Sequence, residues 1–176
     1  MRWVSSVTLC AAVMSVAASA VAVETPRLGQ PISPGDLAPW DISVGPDGVG
    51  LPPGKGTAAQ GEAVYAAKCL ACHGEKGAGK PNDVLVGGFG TIASDKPAAK
   101  TVGSYWPYAT TLFDYVRRAM PYNQSQSLTN DELYAVSAYI LHLNGVIGAA
   151  DALDAQSLPK VKMPNRDGFI LFPRSR

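Results

Sequence analysis

The sequence predicts an all-α fold, and three observations lead there. Apolar residues recur at helical spacing in three segments between about residues 57 and 145. The only Cys-x-x-Cys run, Cys69-Leu70-Ala71-Cys72, lies at the end of the first segment, with no βαβ alternation around it. The proline- and glycine-rich stretches on either side exclude long helices from the flanks.

Residues 1–22 read as a cleavable leader rather than as part of the fold. Arg2 gives a positive start, Val4 to Val16 form a short apolar run, and small residues offer cleavage after Ala20 or Ala22. Ser5, Ser6, Thr8, Ser15 and Ser19 interrupt that run, whereas a membrane span needs about 20 predominantly apolar residues. The expectation is therefore export to the periplasm with no membrane span after cleavage. Arg2 is the leader's only charge, so acidic and basic side chains balance in the remainder. That balance excludes the basic field that would attract nucleic acid or an anionic membrane.

Residues 23–55 carry seven prolines among many glycines and are expected to form an extended arm across the domain surface, with Trp40, Ile42 and Val44 too apolar for a solvated linker. Residues 56–145 form the predicted domain. Its first helix starts near Thr57 and places Gly61, Val64, Tyr65 and Lys68/Cys69 on one face. The second runs from about Thr110 to Ala119, with Leu112, Tyr115, Val116 and Ala119 on one stripe, and Pro121 stops it so that its end presents Met120. The third opens on a capping box, Thr129 with Glu132, carries Leu133, Val136, Ile140 and Leu143 as a stripe, and stops at Gly145. Residues 146–176 form a tail broken by Pro159, Pro164 and Pro173, expected to pack on the domain, with Phe169-Ile170-Leu171-Phe172 as an apolar patch.

The motif carries the chemistry. Once Cys10 leaves with the leader, Cys69 and Cys72 are the remaining cysteines, and the residue after them is His73. Cys-x-x-Cys-His is the attachment pattern for haem c: both thiols form thioethers with the porphyrin and the imidazole ligates the iron. One motif implies one haem. A structural zinc would need two further ligands, and His142 is the only other histidine. Two methionines outside the leader, Met120 and Met163, are candidates for the other axial position; the helix-ending Met120 is expected to take it, Met163 to pack in the core and His142 to lie at the surface.

Gly61, Tyr65, the Cys-x-x-Cys-His run, Met120-Pro121 and Tyr139 together resemble a class I cytochrome c, in which the N- and C-terminal helices cross around the covalent haem; Gly61 against Tyr139 would be the crossing pair. The runs Trp40 to Gly48, Gly103 to Thr110, Arg117-Arg118-Ala119-Met120-Pro121 and Lys162 to Arg166 resemble the cytochrome subunits of sulfite and sulfur dehydrogenases. That resemblance implies electron transfer without catalysis by this chain, a molybdenum-cofactor dehydrogenase as donor, and another cytochrome or an oxidase as acceptor. It also makes Tyr105, Trp106, Tyr108 and Arg117 candidates for contacts to the haem propionates, and the Pro81 carbonyl a candidate partner for the His73 Nδ1 hydrogen. Core aromatics, a solvated arginine and simple turn chemistry are the competing roles. Two other functions stay open on sequence: a cytochrome serving a different periplasmic dehydrogenase, and a haem enzyme with an exchangeable sixth ligand.

Overall fold

A computed structural model describes residues 28–170, so the leader lies outside the described residues. The chain divides into two units, one ending at Asp36 and one running from Leu37 onward. In the first, the Ser33 hydroxyl and amide both donate to the Asp36 carboxylate, which these bonds hold below the usual carboxylate range. One helical turn, α1, spans Pro34–Leu37.

The second unit is mostly helical. Helix α2 spans Ala58–Lys68, and a capping box at its start pairs Thr57 with Gln60, satisfying two otherwise orphaned amides. A short helix α3, Leu70–His73, carries most of the haem motif. Helix α4 covers Ala109–Ala119, and its last turn hands the chain to Met120, whose amide still donates to the Val116 carbonyl. Helix α5 covers Asn130–Leu143, opens on the expected Thr129–Glu132 capping box, and is followed by Gly145 at φ +66°. Two three-residue strands, β1 (Lys55–Thr57) and β2 (Ala152–Asp154), pair antiparallel with Gly56 opposite Leu153.

The last helix departs from the expected single stripe. Every residue from Leu133 to Leu141 is buried, because α2, α4, the β1–β2 ribbon and the wall of a large cavity surround it. Gly61 explains how close α2 comes: a Cβ there would run into the Ala135 backbone and lie 2.8 Å from the Tyr139 Cβ. Tyr65 and Tyr139 then meet in a tilted pair with ring centroids 5.4 Å apart, and Phe113 of α4 meets Tyr134 at 4.6 Å. From the tail, Leu153, Leu158 and Met163 complete the core.

The segment before β1 lies along α4 and the start of α5. Val44 donates its amide to Asp114, Tyr134 donates its hydroxyl to the Pro52 carbonyl, and Asn130 donates to the Pro53 carbonyl. Ile42 and Val44 are partly buried as expected, but Trp40 is 76% exposed, since no element of this unit covers it.

Candidate functional site: a haem-sized cavity

One cavity of about 580 Å³ gathers the chemistry of the sequence. Cys69, Cys72 and His73 line one side, delivered by the turn where α2 passes into α3. Met120 lines the cavity too, delivered by the end of α4. Between them the walls are apolar, built from Leu85, Val102, Leu112, Val116, Val136 and Ile140. Lys100, Asn123 and Gln124 add exposed polar groups to the lining.

Local geometry holds His73 in place. The amides of Cys72 and His73 both donate to the Cys69 carbonyl, and Asn82 donates back to the Cys72 carbonyl, so the following loop is tied to the motif. The ring Nδ1 lies 2.9 Å from the Asp83 carbonyl oxygen. This corrects the expected Pro81 partner. Pro81 sits in a tight turn closed by the Lys80 amide donating to the Asn82 carbonyl, and the chain reaches the imidazole only after that turn. With Nδ1–H donated to Asp83, the tautomer leaves Nε2 free as a ligand.

Burial, with a smaller contribution from neighbouring Cys72, pushes the Cys69 thiol up to about 11. A thiol held protonated at neutral pH is a poor nucleophile, which disfavours a thioredoxin-like dithiol. The donor set fits haem c instead: two thiols, an imidazole and a thioether line one cavity whose walls are largely apolar.

Of the four candidate propionate contacts, Trp106 alone lines the cavity, its ring edge-on to Tyr115 at 5.7 Å. Tyr105 turns outward: Phe169 packs on it at 5.3 Å and the Lys100 ammonium sits 5.2 Å above its ring. Tyr108 lies beneath the Arg166 guanidinium at 4.1 Å. Arg117 donates to the Ile42 and Gly50 carbonyls, so the arm, not the cavity, takes its guanidinium. His142 does not line the cavity; its Nδ1 is 3.3 Å from the Ile147 oxygen. Met163 is 3% exposed in the core.

Sequence reasoning missed Asp83, Lys100, Asn123 and Gln124. Asp83 acts through a backbone carbonyl, which no side-chain pattern reports. The other three are polar loop or rim residues whose spacing carries no period.

Comparison with known proteins places this geometry. Residues 58–144 match the cytochrome c family model. A thiosulfate dehydrogenase of Psychrobacter arcticus is 32% identical over 83 residues, 47% of this chain but only 25% of that protein, so the chain spans about a quarter of its length. The crystal structure of the sulfane dehydrogenase SoxCD from Paracoccus pantotrophus superposes with a TM-score of 0.78 at 40% identity, covering 85% of this chain and 74% of the other. Identity at that level across most of both chains carries more than a shared shape: this chain belongs to the cytochrome c family and resembles the cytochrome subunit of a sulfur dehydrogenase.

Proposed function

We propose that the protein is a monohaem electron carrier of the periplasm that accepts single electrons from a molybdenum-cofactor sulfite or sulfur dehydrogenase and passes them to another cytochrome or an oxidase. The observation that carries this reading is that His73 and Met120 line one largely apolar cavity together with both attachment cysteines. When bound, haem c supplies reversible one-electron Fe(III)/Fe(II) chemistry. The protein's part is to hold it. Cys69 and Cys72 anchor the group covalently, His73 offers Nε2 and Met120 offers its thioether. Met120 as ligand also favours the reduced state and so raises the potential.

The largely apolar walls would exclude water from the haem, and His73 and Met120, as the two residues that would hold the iron, would leave substrate no place on it. That favours a carrier over an enzyme with an exchangeable sixth ligand. A dehydrogenase activity for this chain would need an open position that Met120 closes. The leader, with its cleavage sites after Ala20 and Ala22, supports an exported location.

The sulfur-dehydrogenase donor rests on the likeness to SoxCD and to a thiosulfate dehydrogenase, together with the arm and the Arg117-Arg118-Ala119-Met120-Pro121 run. Mixing the oxidised cytochrome with a molybdenum sulfite or sulfur dehydrogenase and its substrate should reduce the haem at the dehydrogenase's turnover rate. No reduction, while the same dehydrogenase reduces an artificial acceptor, would remove that donor.

A further inference from the structure

The face of α4 turned away from the cavity carries a polar cluster that the electron-carrier reading does not use. Asp114 accepts the Val44 amide at 2.9 Å and pairs with Arg118 at 2.8 Å. Arg117 reaches past it to two arm carbonyls, Ile42 at 3.1 Å and Gly50 at 3.4 Å. Those carbonyls come together because the arm closes a loop on itself. Gly45 donates to the Val49 carbonyl at 2.8 Å, and Gly50, at φ +90°, lies so close to the Ser43 carbonyl that a Cβ would collide with it. The loop is a preformed acceptor for the Arg117 guanidinium rather than a slack strand.

The position of this cluster on the helix gives it a consequence. Arg117 and Arg118 stand in the last turn of α4, immediately before Ala119 and Met120, whose amide closes that turn on Val116. Beyond Met120, Pro121 to Gln124 also line the cavity. The Met120 backbone is therefore held from the N-terminal side by one helical turn, and that turn is braced externally by the arm. At its far end the arm is fixed to α5 through Pro52 and Pro53.

We infer that Asp114, Arg117 and the Ile42–Gly50 loop act as a brace that positions Met120 at the cavity. They are positioning residues: none of them lines the cavity, and they act through the last turn of α4. The inference rests on Met120 being the axial ligand. Without the brace, the turn frays and the thioether leaves its place more often. Charge-assisted hydrogen bonds to a buried or half-buried partner are among the stronger single contacts, so losing one shifts this local equilibrium measurably. Local openings of this kind draw on less than the global stability, so the effect appears without unfolding.

The test uses the oxidised holoprotein and imidazole, which competes with a thioether for the axial position. Binding is titrated optically well below the thermal midpoint, and far-UV circular dichroism is recorded in parallel. Arg117→Ala should bind imidazole about tenfold more tightly than the parent, equivalent to about 1.4 kcal/mol. Arg117→Lys should recover part of the parent affinity. Asp114→Asn and Gly50→Ala loosen the same brace from the helix side and the arm side, so they report it even if Arg117→Ala does not fold. Imidazole affinity within twofold of the parent in the folded variants, while the parent shows the far-red absorption band of thioether ligation, would overturn the brace and leave the ligand assignment standing. A parent protein with no such band would overturn the ligand assignment, and the brace with it.

Discussion

Met120 and Met163 both precede a proline, so the dipeptide does not separate them; their surroundings do. Met120 lines the same cavity as the haem motif, whereas Met163 is buried in the core cluster that includes Leu158 and Leu153. Met120→Ala is expected to abolish the far-red thioether band and lower the reduction potential. Met163→Ala should keep both and instead cost about 2–5 kcal/mol of stability, as loss of a fully buried methionine does. Denaturant titration and the oxidised spectrum of each variant separate the two effects. Tyr134 gives a prediction of a different kind. Burial, chiefly, and the nearby Asp154 charge push its phenol up to about 12, and its hydroxyl donates to the Pro52 carbonyl. Its folded value lies above its unfolded value, so its contribution is present at neutral pH and lost as pH rises from about 10 to about 12. Tyr134→Phe should flatten the alkaline loss of stability across that window; urea midpoints at neutral pH and at about pH 11 check it. That Cys69, Cys72, His73 and Met120 would share one cavity was legible because haem chemistry demands those residue types. The roles of Tyr105, Tyr108 and Arg117 stayed open on sequence because they depend on neighbours distant in the chain, Ile42, Gly50, Arg166 and Phe169, which no local pattern connects to them.

At the scale of elements, the helices were legible where their signals are local. Thr129 and Glu132 mark the start of α5, and Pro121 marks the stop after α4. The Thr57–Gln60 capping box carries the same signature with glutamine in place of glutamate. Thr57→Ala and Thr129→Ala should each cost about 1 kcal/mol, read as a lowered denaturant midpoint with unchanged slope. Gly61→Ala should cost more, about 1–3 kcal/mol or beyond, because the added methyl meets the Ala135 backbone, which cannot swing aside as a side chain could. A midpoint for Gly61→Ala equal to the parent's would mean that α2 and α5 are not in this contact. The β1–β2 ribbon could not be read from the sequence. Its strands are three residues long and lie almost 100 positions apart, too short for a period and too distant for a turn signal. The all-round burial of α5 escaped for a related reason: a stripe reports one contact face, and the remaining faces are covered by elements that the stripe does not encode.

In the unit from Leu37 onward, the helices build one largely apolar slot, and the Ile42–Pro53 segment and the tail act on it from outside. That segment is fastened to α4 and α5. The tail fills the core with Leu158 and Met163, while Asn165 donates to the Tyr105 carbonyl at 2.7 Å, fixing the segment that presents Trp106. Among the described residues no helix is long and apolar enough to cross a membrane. On the proposed reading, a slot in which His73 and Met120 would both hold the iron suits electron transfer, in which the group changes charge and nothing binds or leaves. The central claim is therefore that His73 and Met120 close a single covalent haem. An equilibrium redox titration of the purified protein followed by its visible spectrum tests it most directly. The account predicts one one-electron Nernst step, with the far-red thioether band present in the oxidised form and lost on reduction. Two resolved steps, or an oxidised high-spin spectrum without that band, would contradict it.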